Sequence, residues 1–576
     1  MGSFSNPLFY TQALDENYYI GLGRSIASGY MLGEPGLFYM DPLYGYFVGA
    51  LFFIFGADML PVRLLQIVLD SASAAMCFTL GGRFGGKQAG YIAGTLYAIY
   101  GPVLFFSLLI LKTTLSITLC LLFTLFLIKA MEPSRKWIFL WIGALGGLMM
   151  FTRGNLLLIS LGAVALIPFI ANQPKQIYLR NIALFIAGLV AVLSIGGARS
   201  YVAAGEFAIL PSQGGRLLYL SQNPENTSGR LAPPSFSRSG PETLESDFHK
   251  EAERRLGRKL NAKDVSSFWT EQTIKFYREN PTMLPVILWR KLTGAVMDFE
   301  LPDNQSYQLW SQFSPLMGLP FPTFAFIFAL GAPGLVIAAR RERAALIAIL
   351  PVAATFATML VFYPSSRFRM EAIPFFCVGA GFFAAQLMEL WRSGKKPLVA
   401  ISIVSCSALF IASKLVQPGP PHGDEETSLT KAYINVGDFN KAWETASAAA
   451  VKYPTQSQFR RLMGLTALSA GDAGMAITQT TIALNMEPDS PETLHNLGLA
   501  YLMKGNAPQA IIHLEKAARI YSGPMSQMAL GRAYEANGEP EKAAASYRNF
   551  ITSAKPGDPM IKKAEERLGI IVGAIR

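Results

Sequence analysis

Charged residues are scarce in this chain of 576 residues: Asp, Glu, Lys and Arg together make up 15%, whereas hydrophobic residues make up 51%. A chain this long and this apolar does not fold as one soluble domain, so at least two structural units are expected. Cysteine and histidine are also rare. The four cysteines lie inside apolar stretches without a CxxC pair, and the four histidines are scattered, which argues against a disulfide framework and a zinc site.

Acidic residues are fewer than basic ones, 39 against 50, which gives a formal net charge of +11. Such an excess can indicate nucleic-acid binding, but Lys and Arg also concentrate in the cytoplasmic loops of membrane proteins. The basic residues here fall in short connections between apolar runs. We therefore expect a membrane protein that does not bind nucleic acid.

Long apolar runs are abundant. Runs of about 17 to 22 apolar residues can cross about 30 Å of hydrocarbon as helices. They lie near 62–81, 88–107, 110–129, 137–152, 155–171, 181–199, 321–339, 344–362, 372–391 and 397–415. The run at 42–56 is shorter, and we expect it to lie in the headgroup region rather than to span.

Clusters of basic residues occur at alternate connections between these runs. The clusters are Arg83 with Lys87; Lys129 with Arg135 and Lys136; Lys175 with Arg180; Arg340 with Arg341 and Arg343; and Arg392 with Lys395 and Lys396. The positive-inside rule places all of them in the cytoplasm. A first loop at 1–60, a large loop at 200–320 and everything after residue 415 are then extracytoplasmic. This predicts a multi-pass protein of the inner (plasma) membrane with periplasmic loops.

The composition changes after a Pro/Gly/acidic linker at 416–427. Glycines recur at 437, 471, 505 and 538, at spacings of 34, 34 and 33 residues. A period near 34 with glycine between paired helices indicates tetratricopeptide repeats. The fold predicted is all-α: a membrane helical domain over 1–415, followed by an α-solenoid of three to four repeats over 428–576, capped by a helix around 558–571.

Several charged residues fall at the extracytoplasmic ends of the predicted helices. They are Asp15 and Glu16 in "ALDENYY", Lys112 in "LLILKTTL", Arg153 in "FTRGN", and Arg367 and Arg369 in "YPSSRFRMEAIP". Each cation alone is commonly an interface anchor. Together they favour a site for an anion with a proton acceptor beside it, and a lipid-linked phosphate is the anion found at that depth.

The motifs of residues 6–391 resemble, in order, those of the GT-C glycosyltransferases, and within them the glycosyltransferase family 39-like branch of bacterial protein O-mannosyltransferases and aminoarabinose transferases. They are the first loop around "LDENYY", "GGLMMFTRGNLLL", "SQGGRLLYLSQNPENTSG", "VILWRKLTGAVMDFELPDN" and "YPSSRFRMEAIPFF". The resemblance implies an inverting transferase that moves a sugar from a polyprenyl-phosphate donor to a hydroxyl outside the cytoplasm.

The resemblance also implies roles for individual residues. Asp15 matches the general base and Glu16 its acidic neighbour, while Arg367 matches the basic residue near the carrier phosphate, with Arg369 as a second. Lys112 falls where the family places a polar or charged residue at a helix end. No metal ligand set or cofactor is implied, and a divalent metal requirement stays open. The family has a membrane helix before this loop, whereas Met1 here lies inside the loop.

Two other functions are compatible with the same features. A carrier or flippase for a lipid-linked sugar is one, although the predicted spans show almost no mid-membrane charge besides Asp70 and no internal repeat. A membrane-anchored scaffold for envelope assembly is the other. The partners expected are a polyprenyl-phosphate-linked sugar, an acceptor protein or an envelope glycan or lipid, and a protein bound by the repeats.

Overall fold

The computed structural model describes residues 6–33, 36–131, 137–170, 174–209, 211, 213–237, 241–417, 423–520, 523–554 and 558–575. The chain divides into two compact units. Residues 13–419 form one, here called the membrane unit, and residues 1–12 together with 420–576 form the other, here called the repeat unit. Both are helical, and the only β pairing in the described residues is an isolated bridge between Asn223 and Asn226. The predicted all-α class is confirmed.

The membrane unit contains the first eighteen α-helices. They are α1 (Asp15–Ala27), α2 (Leu43–Phe55), α3 (Met59–Ile99), α4 (Gly101–Leu108), α5 (Thr113–Ala130), α6 (Ile138–Thr152), α7 (Leu157–Ile170), α8 (Lys175–Ala204), α9 (Gly214–Ser221), α10 (Pro241–Leu256), α11 (Ala262–Glu279), α12 (Met283–Val296), α13 (Tyr307–Ser311), α14 (Phe324–Arg341), α15 (Leu346–Val361), α16 (Ser366–Arg369), α17 (Ile373–Arg392) and α18 (Lys396–Leu415).

Seven helices in the described part of the chain are long and apolar enough to cross a membrane: α3, α5, α8, α14, α15 with the turn before it, α17 and α18. Three further apolar helices, α2, α6 and α7, are shorter. The segments predicted as spans at 137–152 and 155–171 are thus helical but fall in this shorter class. Pro168 lies inside α7, and Arg153 ends α6 in an extended conformation.

Helix α3 is a hairpin of two helical arms. Gly86 has φ 77° and ψ 177°, which breaks the helix. The arms then pack together: the Tyr97 hydroxyl donates a 2.6 Å hydrogen bond to Asp70, and a Cβ on Gly90 would lie 2.6 Å from the Phe78 carbonyl oxygen. The hairpin confirms the separate runs predicted at 62–81 and 88–107. The second arm ends early because Tyr100 is extended, and α4 then begins at Gly101 with Pro102 in its first turn.

Small residues let the membrane helices approach at backbone distance. A Cβ on Gly143 in α6 would lie 1.9 Å from the Phe185 carbonyl oxygen of α8, and one on Gly188 would lie 1.9 Å from the Leu140 carbonyl oxygen. Helices without a hydrophobic driving force between them associate through such close packing. These two glycines therefore fix the distance between α6 and α8.

Replacing Gly188 with alanine should destabilise the membrane unit, because the added methyl group forces α6 and α8 apart. Overpacking of this kind costs about 1–3 kcal/mol. A lower thermal unfolding midpoint of the purified protein in detergent would show it. Gly82→Ala is the matched control, since a Cβ there meets nothing within 4 Å. Equal midpoints for the two variants would contradict the packing described.

The repeat unit contains four antiparallel helix pairs and a last helix. They are α19 (Asp424–Asn435) with α20 (Phe439–Lys452), α21 (Ser457–Ser469) with α22 (Ala473–Met486), α23 (Pro491–Met503) with α24 (Ala507–Ile520), α25 (Pro524–Ala536) with α26 (Pro540–Ser553), and α27 (Pro559–Ile575).

The recurring glycines end the first helix of each pair. Gly437, Gly471, Gly505 and Gly538 have φ values of 78°, 85°, 82° and 75°, a left-handed conformation in which glycine avoids the strain of a side chain. The α27 residues Ala564 and Ile571 are buried against the last pair. The predicted solenoid with a capping helix is confirmed. Within this unit, a 3₁₀ turn at Pro7–Tyr10 also packs against α19.

Candidate active site

Asp15 is the first residue of α1 and is buried, with a relative exposure of 8%. Its backbone N–H donates a 2.8 Å hydrogen bond to Asn304 Oδ1, and Asn304 Nδ2 donates at 3.3 Å to Asp15 Oδ2. The preceding residue, Leu14, has φ 36°, which is strained for a side chain of this kind. The carboxylate thus sits at a helix N-terminus, where the helix dipole favours negative charge.

Arg367 pairs with Asp15 although 352 residues separate them in the chain. The Arg367 Nη1 group contacts Asp15 Oδ2, and its Nε lies 2.9 Å from Asp303 Oδ2. Burial lowers the pKa of Arg367, but the carboxylates of Asp303 and Asp15 outweigh it and hold the guanidinium charged. Burial raises the pKa of Asp303, partly offset by Arg367. The site therefore places one fixed cation between two buried acids.

Glu16 lies beside Asp15 but is turned into the protein, with an exposure of 1%. Its carboxylate accepts hydrogen bonds from Ala13 N at 3.1 Å, Ile110 N at 2.9 Å and Gln305 Nε2 at 2.6 Å. Burial raises the pKa of Glu16 against the lowering effect of these bonds. Glu16 therefore joins the start of α1 to the segments around residues 110 and 305.

Lys112 and Arg153 each have a carboxylate partner that the sequence did not single out. Lys112 Nζ contacts Asp41 Oδ2, while Asp41 Oδ1 accepts a 3.1 Å bond from Gly154 N. Arg153 Nη1 lies 3.1 Å from Glu371, and its buried Nε and Nη2 have no hydrogen-bond partner. Burial lowers the pKa of Lys112, and the charges of Arg153 and Arg367 lower it further against the effect of Asp41.

These cations are close to one another. Arg153 Nη1 lies 3.5 Å from the Arg367 carbonyl oxygen, and the charges of Arg153 and Arg367 both act on Lys112. Asp15, Lys112, Arg153 and Arg367 thus belong to one cluster of the membrane unit. Such a cluster can bind an anion through Lys112 and the unpartnered nitrogens of Arg153, beside a carboxylate able to accept a proton.

Arg369 faces elsewhere. Its Nη2 donates to Glu300 at 2.6 Å and to the Phe299 carbonyl at 3.2 Å, its Nη1 donates to the Met297 carbonyl, and the guanidinium lies 4.0 Å from the centroid of the Phe324 ring. Glu300 also accepts a 2.5 Å bond from the Tyr100 hydroxyl. Arg369 therefore secures the segment that leads to Asp303, rather than contacting Asp15.

Residues 35–196 match the family model described as dolichyl-phosphate-mannose-protein mannosyltransferase. The match includes Asp41, Lys112 and Arg153, whereas Asp15 and Arg367 lie outside it. Together with the membrane helices and the helix pairs, it supports the assignment made from the motifs. The match supports a GT-C membrane domain in this part of the chain, and the helix pairs support tetratricopeptide repeats.

Two curated proteins are similar to part of this chain. Cellulose synthase operon protein C of Escherichia coli (strain K12) and the putative cellulose synthase operon protein C of Escherichia coli O157:H7 are each 36% identical to it over 101 residues. The match covers 17% of this chain and 9% of each relative, so the chain spans less than a tenth of their length.

Among solved structures, a thermophilic TPR protein of Thermus thermophilus aligns with 32% of this chain and 98% of its own, at 17% identity and a TM-score of 0.24. A score this low does not assign a fold, which here follows from the helix pairs themselves. The apolar helices and the family match together indicate a multi-pass membrane protein.

Asp41, Glu371 and Asp15 each contact one of these cations. In the described residues, no group of three or more His, Cys, Asp or Glu side chains has an arrangement suited to a metal ion. Asp41, Asp303 and Glu371 were not predicted as site residues. Charge balance was the available signal, because four buried cations in the membrane unit need more than the two acids of "ALDENYY" to be stable.

Lys291 in α12 is a further buried cation that the sequence did not identify. It has no exposed surface and donates to Gln222 Oε1 at 2.7 Å and to the Val361 carbonyl at 3.0 Å, both neutral groups. Burial lowers its pKa from 10.5 to about 7. Lys291 therefore joins the large loop to the end of α15 at the cost of a buried charge.

Stability should depend on pH through Lys291. In the folded state Lys291 loses its proton near pH 7, whereas in the unfolded chain it keeps the proton until about pH 10. The unfolding free energy should therefore rise between those values, by at most about 1.4 kcal/mol per pH unit. The unfolding midpoint should rise less with pH in Lys291→Met than in the exposed control Lys275→Met. Identical pH dependence in both variants would contradict this.

Proposed function

We propose that the membrane unit transfers a sugar from a polyprenyl-phosphate-linked donor to an acceptor hydroxyl, with inversion at the anomeric carbon. The observation that supports this most is the contact between Asp15 and Arg367, which joins a potential base to a cation beside the unpartnered nitrogens of Arg153. A transferase of this kind needs one base and a fixed positive charge for the leaving phosphate. The family match of residues 35–196 supports the same class of reaction.

The reaction proposed is a single displacement. The acceptor oxygen attacks the anomeric carbon, the bond from that carbon to the phosphate oxygen breaks, and its electron pair stays on the lipid phosphate. Asp15 takes the proton of the acceptor hydroxyl. A positioned carboxylate that accepts the proton accelerates such a step by about 10²–10⁴-fold. Arg367, Lys112 and Arg153 stabilise the charge that develops on the phosphate, through charge-assisted hydrogen bonds worth roughly 1.5–3 kcal/mol each.

Arg367 can serve both the base and the phosphate because a guanidinium has five N–H donors in a planar fork. We propose that Glu16 and Arg369 act as positioning residues, since their contacts are with the protein interior. Glu16 holds the start of α1, and Arg369 holds the segment before Asp303. The reaction is proposed to occur on the periplasmic face of the inner membrane, following the orientation given by the basic connections.

Reconstitution distinguishes the transferase from a carrier. Purified protein in liposomes, given a polyprenyl-phosphate-linked radiolabelled hexose and an extract of envelope acceptors, should release the label from the lipid and place it on an acceptor. Donor that crosses the bilayer with its sugar still attached, and no labelled acceptor, would favour the carrier and refute the transferase.

We further propose that the repeat unit recruits the acceptor or an envelope partner. Stacked helix pairs present an extended concave surface of the kind that binds other proteins. The similarity to cellulose synthase operon protein C, over 101 residues, is consistent with a role beside an envelope polymer.

Deleting residues 423–576 should raise the acceptor concentration needed for half-maximal transfer by at least about 10-fold, while the affinity for polyprenyl phosphate stays unchanged. Both are measured on purified protein in nanodiscs. The control is Met503→Gln, an exposed substitution at the end of α23 that leaves the repeat unit in place and should change neither quantity. Equal loss of acceptor use and donor binding would mean that the repeats only stabilise the fold.

A further inference from the structure

Arg216 is buried, and no carboxylate of the described residues forms an ion pair with it. Five arginines in the described residues are buried, and four of them bond to carboxylates or carbonyls: Arg63 to the Leu108 carbonyl, Arg153 to Glu371, Arg367 to Asp15 and Arg369 to Glu300. Arg216, with an exposure of 6%, makes no such contact in this part of the chain, and its Nε has no hydrogen-bond partner. A buried charge left in this way is costly.

The position of Arg216 is fixed by its neighbours. It follows Gly215 near the start of α9, where a Cβ on Gly215 would lie 1.9 Å from the Ser266 carbonyl oxygen of α11. Gly215 N also donates a 3.1 Å bond to Ser266 Oγ. The close approach of α9 to α11 therefore fixes the backbone from which the Arg216 side chain projects, and a fixed backbone lowers the cost of ordering a binding group.

The guanidinium lies over an aromatic side chain near the proposed base. Arg216 Cζ is 4.9 Å from the centroid of the Tyr39 ring, and the Tyr39 ring is 5.6 Å from that of Tyr18, one turn after Asp15. Tyr39 is partly exposed. Burial raises the pKa of Tyr39 to about 12, which Arg216 opposes, while Glu245 and Asp15 add to the increase. The charges of both Arg216 and Asp15 thus act on the Tyr39 phenol.

We propose that Arg216 and Tyr39 form a subsite for an anionic group, a carboxylate or a phosphate, carried by one of the two substrates of the proposed transferase. The guanidinium offers paired N–H donors to such a group, and the Tyr39 ring offers a flat face to a sugar beside it. We propose this subsite as distinct from the donor-phosphate site, since Arg216 lies on α9, whereas Arg367 lies on α16 and Lys112 directly precedes α5. It rests on the proposed function only for the identity of the substrates.

Equilibrium binding tests the subsite without requiring transfer. The full chain in nanodiscs, saturated with polyprenyl phosphate to occupy the proposed donor site, is titrated with methyl glucuronide or with the matched neutral methyl glucoside. A second arm compares polyprenyl-phosphate-linked glucuronate with polyprenyl-phosphate-linked glucose in the absence of other lipid. A preference in the first arm assigns the anion to the acceptor, and one in the second arm assigns it to the donor sugar.

The wild type should prefer the charged ligand by at least about 10-fold in one of the two arms. Arg216→Gln should abolish this preference, Arg216→Lys should retain part of it, and the exposed control Arg258→Gln should leave it intact. The preference should also persist in Asp15→Asn, so that a failure of the transferase hypothesis is seen separately from a failure of the subsite. No preference in either arm, or the same preference in Arg216→Gln as in the wild type, would overturn the proposal.

Discussion

Replacing Asp15 with asparagine should lower sugar transfer by at least about 100-fold, because the amide cannot accept the proton of the acceptor hydroxyl. The change is nearly isosteric. Asn304 Nδ2 can still donate to the new side chain, and Arg367 keeps Asp303 as a partner. The fold and the affinity for polyprenyl phosphate should therefore persist, and transfer from a radiolabelled lipid donor measures the loss.

The matched control for this variant is Asp58→Asn. Asp58 is exposed and caps the N-terminus of α3 through a 2.9 Å bond to Leu60 N, and asparagine caps a helix equally well. This control should retain wild-type turnover. Near-normal transfer by Asp15→Asn, in protein that binds the lipid as the wild type does, would remove Asp15 from the role of base.

Replacing Arg367 with glutamine should have two large effects. Loss of a charge-assisted bond worth about 1.5–3 kcal/mol should weaken polyprenyl-phosphate binding by about 10- to 150-fold. Asp15 and Asp303 would also lose their common cation, and breaking a buried pair costs about 3–5 kcal/mol of stability. Binding is therefore measured at a temperature at which thermal unfolding curves show that the wild type and Arg367→Gln are both folded.

Two further variants separate the effects of Arg367. Arg367→Lys keeps the charge but loses the planar fork, so it should restore most of the stability and only part of the lipid affinity. Arg83→Gln removes an exposed cation that pairs with Glu342 and should change neither quantity. Unchanged lipid affinity in Arg367→Gln would mean that the phosphate binds elsewhere.

Sequence periodicity was sufficient to predict much of the fold. The turn glycines of the repeats and the apolar runs are local signals, because each helix pair and each membrane segment leaves its own pattern. Helix lengths were less predictable. Composition predicts spans at 137–152 and 155–171, yet α6 and α7 are shorter than the seven long helices. At the first of these, Arg153 ends α6 in an extended conformation.

The sequence was sufficient to predict which residues belong to the site, but not which of them contact one another. Asp15 and Arg367 were identified from their motifs, but the pairing across 352 residues depends on the packing of the whole membrane unit. Arg367 and Arg369 looked equivalent in "SSRFR". Residues two apart on a helix point about 200° apart, so α16 turns Arg367 to Asp15 and Asp303 and Arg369 to Glu300.

We propose that the lipid phosphate binds beside Asp15, held by Arg367, Arg153 and Lys112. The most direct measurement is an experimental structure of the full chain in a lipid nanodisc with polyprenyl phosphate bound. The phosphate oxygens should lie within about 3 Å of guanidinium or ammonium nitrogens of these residues, with the Asp15 carboxylate facing the oxygen that carries the sugar. A phosphate bound on another face of the membrane unit, while Asp15 and Arg367 remain paired and do not contact it, would contradict this proposal.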